Sequence, residues 1–389
     1  MEEIAFLQRL IQVNTSNPPG NEVKVGKMIA ARGNRLGLDM KITSFDSHRC
    51  NVEGRFKGTG KRKLLLCGHM DTVSPGEQPW EYGPYSGTIE GDRMYGRGTS
   101  DMKSGLAAMY LAFESLYLSQ DYSSLGEVVF LATAGEEVDS CGAKHYLKSN
   151  SMEEFNAIII GEPTNEKVVI GHKGALWLEI TTFGKTAHGA MPEQGINSID
   201  HMMGVINVID NLGLEWKTVK PPLGKSSMTI TKISGGIQTN VIPDRCYIHV
   251  DIRSVPPQSH MELIDEVNER LNDISKTQSD FQYKVNVLLD RAPVITKPSS
   301  EIIKKALELN RSKESEAHVN TCYGVSYYTD GSVLNPKSEI DTLIYGPGNE
   351  KLAHQPNEWV SINAYLRSIN FYEELIKSYF TENPAYYID

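Results

Sequence analysis

Four stretches of this sequence are apolar at nearly every position, and each ends at a glycine followed by polar residues. They are Lys63–Asp71 (KLLLCGHMD), Glu127–Glu137 (EVVFLATAGEE), Asn156–Thr164 (NAIIIGEPT) and Asp341–Glu350 (DTLIYGPGNE). A strand with one wet face alternates apolar and polar residues. A continuously apolar strand must be covered on both faces, as in a mainly parallel sheet sandwiched by helices. Helical patterns follow at Met102–Leu118 and Cys141–Ser149, which makes the layout α/β. In such sheets ligands bind beyond the carboxyl ends of the strands. The polar tails of all four runs are therefore expected to meet at one edge.

Between them the pattern changes. Leu176–His188, Ser227–Gly236 and Cys246–Pro256 alternate, as half-buried antiparallel strands do, and two helical stretches, Asn197–Leu212 and Ser259–Ser275, separate them. The β-α-β-β-α-β order predicts an inserted α+β domain of ferredoxin-like type at residues 175–290. The first domain is then discontinuous, 1–174 and 291–389. A chain of 389 residues has room for both. Asn14–Glu22 (NTSNPPGNE) reads as a turn-rich loop between two N-terminal helices and nothing more.

Apolar content of 40% and charged content of 23% are those of a soluble globular protein. A net charge of −10 argues against nucleic acid or an anionic membrane as partner. Met1–Val13 (MEEIAFLQRLIQV) is an amphipathic helix with early acids, not a signal peptide, and no apolar run is long enough to span a bilayer. Five scattered cysteines without a CxxC pair read as reduced thiols in a cytoplasmic protein, and Cys67 as a small core residue.

The strand tails carry His69, Asp71, Glu136, Glu137, Glu162 and His354, and Asp101 sits in the glycine-rich turn YGRGTSDMKSG ahead of a helix. That turn is not a dinucleotide loop, because Asp101 stands where the last glycine belongs. Each residue alone has a bland reading. Asp101 could cap its helix, the adjacent glutamates could sit at a helix N-terminus, and a histidine past a strand is commonly just packed. Together, two imidazoles with several carboxylates suit zinc, with cobalt or manganese as alternatives. Ligation without cysteine favours a catalytic site over a structural one.

GHMDTV, YGRGTSDMKSG, TAGEE, GEPT and GPG…AHQPNE, in this order, resemble the motifs of the acetylornithine deacetylase, succinyl-diaminopimelate desuccinylase, carboxypeptidase G and aminoacylase family of zinc metallopeptidases. The resemblance implies two metal ions, most simply zinc. Asp101 would bridge them, with His69 and Glu162 on one and Glu137 and His354 on the other. Glu136 would be the general base and Asp71 the partner that orients His69. It also implies that the inserted domain is a lid through which the chain dimerises. In the lid, His188 would reach the partner subunit's site to stabilise the oxyanion beside Asn240, and Arg253 would bind the substrate carboxylate. The implied reaction is hydrolysis of the amide of an N-acyl amino acid, with a dipeptidase, carboxypeptidase or aminoacylase on the same site as the alternative. A binding protein that kept the fold but lost activity fits poorly with an intact Glu136, and phosphoryl transfer lacks its glycine loop. One segment departs from the family: Ser326–Leu334 (SYYTDGSVL) carries Tyr327 and Tyr328 where relatives have a glycine- and serine-rich loop. The acyl group and the amine stay open.

Overall fold

The computed structural model describes residues 1–119, 121–310 and 321–381. The chain divides into two compact units. One comprises Met1–Gly171, Ile295–Tyr323 and Thr329–Asp389, the other His172–Val294 and Gly324–Tyr328.

The first unit is built on a sheet whose strands run, across its width, Met40–Ser44, Cys50–Lys57, Glu127–Thr133, Lys63–His69, Ala157–Ile160, Asp341–Ile344, Val169–His172 and Val294–Ile295. The four runs singled out in the sequence are the four adjacent strands at its centre, paired parallel. Antiparallel strands flank them. Met40–Ser44 and Cys50–Lys57 are joined by five residues, a connection too short for anything but a hairpin. Helix Lys103–Leu118 is buried almost all round, as the apolar run Gly105–Phe113 within it requires, and packs against the sheet and helix Ile362–Phe380. Its approach to the sheet depends on two glycines. A Cβ added at Gly105 would stand 1.7 Å from the Gly161 carbonyl oxygen, so any larger residue would push the Asp101 end of the helix away from the loop that carries Glu162.

The second unit is a β-α-β-β-α-β arrangement. Its strands Gly174–Phe183, Ser227–Gly235, Arg245–Ser254 and Gln282–Arg291 are ordered second, third, first, fourth, and every pairing is antiparallel. Alternation puts Leu176, Leu178, Ile180, Ile248, Val250 and Ile252 in one apolar core with the helices Ser198–Glu215 and His260–Thr277. Gly324–Tyr328 joins this unit: the Lys173 N–H donates to the Val325 carbonyl, and the Tyr328 ring lies 5.8 Å from the Arg291 guanidinium. No helix among the described residues is long and apolar enough to cross a membrane.

Candidate metal centre

Strand register decides which tails meet. His69 lies opposite Thr133, Cys67 opposite Ile160, and Ile160 opposite Ile344. The polar residues that follow each strand therefore emerge at one edge of the first unit. Cys67 itself is wholly buried, with its thiol pushed well up by that burial, and belongs to the core. After Thr133 the chain turns at Gly135, whose φ of 70° favours glycine, and where a Cβ would meet the Arg49 guanidinium at 2.3 Å. Glu136 and Glu137 lie in this turn. The next helix, Cys141–Leu147, begins four residues later, so the pair are not first-turn acids. Nor does Asp101 cap its helix: the N-cap is Met102, without a side-chain bond.

Asp101 instead stands between two imidazoles. His69 Nε2 lies 3.2 Å from its Oδ1, and His354 Nε2 lies 3.4 Å from its Oδ2. Each histidine has a glutamate beside it: Glu162 Oε1 is 3.7 Å from His69 Nε2, and Glu137 Oε2 is 3.1 Å from His354 Nε2. Two ligands about 2.0–2.1 Å from a tetrahedral ion are about 3.4 Å apart. All four separations are near that edge length, so the donor set fits a pair of divalent ions. His69, Asp101 and Glu137 make one group able to hold an ion, and His69, Glu136 and Glu162 another. Glu136 thus lies close enough to be a donor, and one of its carboxylate oxygens is buried with no hydrogen-bond partner among the described residues.

The electrostatics demand positive charge. Burial pushes the Glu136, Glu137 and Glu162 carboxyls above their ordinary range, and neighbouring carboxylates add to it. Burial acts the same way on Asp101, but hydrogen bonds from both histidines outweigh it and hold Asp101 low. Asp101 and Glu137 push His354 up to about 10. Burial would lower His69, yet Asp101, Glu162 and Asp71 hold it well above its usual value. Without a cation this cluster retains protons, and divalent ions would displace them.

Asp71 does something the sequence reading did not foresee. Its carboxylate is 3.6 Å from His69 Nδ1, beyond a hydrogen bond, and the His69 ring is instead 3.0 Å from the Asp71 backbone carbonyl. The carboxylate is occupied elsewhere. It accepts the backbone N–H groups of Glu136 (3.1 Å) and Glu137 (3.2 Å) and the Asn17 amide (2.6 Å), so it fixes the turn that carries both glutamates. Asn17 accepts in turn from Arg49. The Asn14–Glu22 loop therefore supports the centre.

A second buried brace is also new. Glu358 accepts from the backbone N–H groups of Gly98, Ser100 (2.7 Å) and Asp101 (3.0 Å) and from Arg97 Nη1 (2.6 Å). Arg97 donates further to the carbonyls of His354 and Gln355. One ion pair thus fastens the Asp101 turn to the His354 loop, where His354 has a left-handed backbone at φ 65°. Behind the strand ends, buried Asp330 accepts from Thr133 Oγ1 at 2.6 Å, and burial pushes its carboxyl up to about 6. The motifs containing Glu358 and Asp330 were visible in the sequence, but nothing local marked either carboxylate as a brace.

His188, Asn240 and Arg253 belong to the second unit. His188 and Asn240 lie together: His188 pairs with Val241 across two short strands, and the Gly189 N–H donates to the Asn240 carbonyl. His188 Nδ1 accepts from the Ala190 N–H, which leaves the proton of a neutral ring on Nε2. Arg253 forks onto Asp251 at 2.8 and 3.1 Å. The same unit holds a nucleophilic-triad geometry, Ser254 Oγ 2.7 Å from His260 Nε2 and His260 Nδ1 2.6 Å from Asp290. Ser254 is 1% exposed, and a Cβ at Gly174 would come within 2.2 Å of its hydroxyl. No carbonyl can reach it, and the three residues fasten the start of helix His260–Thr277 to the strand ends.

A family model described as peptidase family M20/M25/M40 matches residues 65–378. A probable succinyl-diaminopimelate desuccinylase of Staphylococcus aureus is 28% identical over 98% of both chains. An acetylornithine deacetylase of Buchnera aphidicola is 30% identical over 83% of this chain and 82% of its own. Among solved structures, an M20 family metallo-carboxypeptidase of Sulfolobus solfataricus superposes with a TM-score of 0.78 at 20% identity, covering 97% of this chain and 99% of that one. At that identity the likeness is one of fold.

Proposed function

We propose that this chain, which belongs to peptidase family M20/M25/M40 and is an amide hydrolase, cleaves the acyl group from N-acyl amino acids. The observation that carries the reading is Asp101, whose two oxygens face different histidines, each with its own glutamate. Asp101 would be shared by two divalent ions, zinc first and cobalt second, with His69 and Glu162 holding one and His354 and Glu137 holding the other. Bound there, the ions supply charge that polarises the amide carbonyl and acidifies water. Glu136 is the base that takes the water's proton and returns it to the leaving amine, a role suited to a buried carboxyl whose proton affinity is raised. Asp71 keeps Glu136 and Glu137 in place through their backbone N–H groups.

The second unit acts as lid and dimerisation domain in this reading. Its strand Ser227–Gly235 is an outer strand of the sheet, and Ile233 and Ile237 are 58% and 85% exposed, which supports pairing with a second copy. His188 Nε2 and Asn240 donate to the oxyanion, His188 across the dimer, and Arg253 exchanges Asp251 for the substrate carboxylate. Five free cysteines suit a cytoplasmic location.

The test is a hydrolysis screen over N-acetyl, N-succinyl and N-formyl amino acids and dipeptides, with zinc or cobalt added. Cleavage of an acyl amino acid that stops on chelation supports the reading. Cleavage of dipeptides alone moves the chain to the peptidase branch, and turnover insensitive to chelation overturns the metal assignment.

A further inference from the structure

The turn that carries Glu136 and Glu137 rests on a buried charge cluster. Asp71 accepts the N–H groups of both glutamates, and Glu22 lies near it with no exposed surface. Burial and the Asp71 carboxylate push Glu22 up to about 7, against the pull of Arg49 and the Gly135 backbone. Two buried carboxylates in one cluster repel each other and need a counter-charge. Lys103, a buried cation near both, is committed to the Leu10 and Val13 carbonyls at 3.0 and 2.8 Å.

Arg49 reaches the cluster from the hairpin between strands Met40–Ser44 and Cys50–Lys57. Two bonds fix the hairpin tip. Asp46 accepts the His48 and Arg49 backbone N–H groups at 2.6 and 2.8 Å. The Val23 N–H, in helix Glu22–Arg35, donates to the His48 carbonyl at 3.1 Å. From that tip the guanidinium, 15% exposed, joins three segments. Its Nη2 donates to Asn17 Oδ1 at 2.5 Å, and its Nη1 lies 3.4 Å from both Glu22 Oε1 and the Cys141 sulfur. Asn17 passes the hold on, donating at 2.6 Å to Asp71 Oδ2, the oxygen that also accepts the Glu137 N–H. Burial and Asp139 push the Cys141 thiol up to about 12. Cys141 therefore stays neutral, accepts from Arg49, and donates its S–H to the Ala134 carbonyl just ahead of Gly135. A planar fork meets acceptors in three directions at once, which a lysine ammonium at the end of a flexible stem cannot reproduce.

We propose that Arg49 is a positioning residue for Glu136: its fork on Asn17 and Glu22 keeps the Asp71 carboxylate in place, and Asp71 holds the turn. The effect on turnover rests on the reading of Glu136 as the base, whereas the hold on the turn does not. The experiment uses the full chain, as purified, as wild type, Arg49→Lys, Arg49→Met and Arg49→Ala. Amide hydrogen exchange is the first readout. The Glu136 and Glu137 N–H groups should exchange about tenfold faster in Arg49→Met, with strands Ala157–Ile160 and Asp341–Ile344 unchanged. Kinetics is the second, on the N-acyl amino acid that wild type cleaves best, with zinc added to saturation. Arg49→Met should lose about 10–100-fold in kcat at unchanged KM, the usual loss when a residue that orients a metal site's ligands is removed. Arg49→Lys should lie nearer to Arg49→Met than to wild type. Arg49→Ala should regain kcat with low millimolar guanidinium chloride and not with methylammonium chloride, because only the planar cation offers the fork. Exchange at Glu136 and Glu137 unchanged in Arg49→Met would overturn the proposal. So would faster exchange that spreads into the strands, which makes Arg49 a general prop of the fold, or a loosened turn with wild-type kcat. A wild type that cleaves no acyl amino acid would sink the reading of Glu136 and leave the exchange comparison to decide the role of Arg49.

Discussion

Replacing Glu358 by glutamine tests the brace between the Asp101 turn and the His354 loop. The substitution keeps shape and volume but turns one carboxylate oxygen into an NH2 group. One oxygen of Glu358 faces the N–H groups of Ser100 and Asp101, the other faces Arg97 Nη1, and the Gly98 N–H reaches both. Whichever way the amide turns, it sets a donor against a donor and leaves the buried Arg97 without its counter-charge. Hydrogen bonds to a charged group contribute about 1.5–3 kcal/mol each, and removing one partner of a buried ion pair costs about 3–5 kcal/mol. The loss should therefore be about 3 kcal/mol, a large part of a typical total stability of about 5–15 kcal/mol. Metal affinity should fall about 10–100-fold, as is usual when a residue supporting a ligand is removed. Urea unfolding of the metal-free protein gives the first number and competition with a chromophoric chelator the second. Adding Arg97→Met to Glu358→Gln should recover part of the stability, because the stranded cation is removed with its partner. Unchanged stability and unchanged metal affinity in Glu358→Gln would refute the brace.

The adjacent glutamates should fail in different ways. Glu136→Gln should keep its metal and lose turnover by about 10²–10⁴-fold, whereas Glu137→Gln should bind metal weakly and be partly rescued by excess zinc; kcat with metal analysis separates them, and near-normal turnover in Glu136→Gln would reverse their roles. Metal uptake should release protons. With His354 raised from 6.5 to about 10 in the metal-free protein, the ring is protonated at pH 8 and must lose its proton to become a ligand, so apparent affinity should rise with pH up to about 10. For the metal-free fold the sign is opposite: the stabilisation from protonated His354 is full below pH 6.5 and is lost as pH rises through 10. A pH-indicator titration in weak buffer at pH 8 checks the release, and its absence would contradict the arrangement.

The four central strands were legible because burial on both faces leaves a signature in each strand's own residues. The gathering of the candidate donors was legible for a related reason: parallel strands must end at one edge, so the residues after Gly68, Gly135, Gly161 and Gly346 had to meet there. What escaped was the support. Asn17 reads as part of a turn-rich loop, and its bond to Asp71 crosses 54 residues of sequence. Glu358 reaches Asp101 across 257. Periodicity tells which side of an element faces inward, but it does not tell which loop lies against which, because that depends on the packed topology. The Asp71 carboxylate illustrates the limit. A spacing of i, i+2 from His69 suggested a partner for the imidazole, while the turn after the neighbouring strand supplied two backbone N–H groups that claim it instead.

Metal stoichiometry of the wild type and of Asp101→Asn tests the central claim most directly. Among the described residues Asp101 is the one donor with an oxygen toward each histidine, so a bridging role makes both ions depend on it. Chelator-treated protein reloaded with zinc and freed of excess should contain two equivalents per chain by elemental analysis, and Asp101→Asn should hold at most one, bound weakly. Two tightly held equivalents in Asp101→Asn, or full wild-type activity with no metal detectable, would contradict the account.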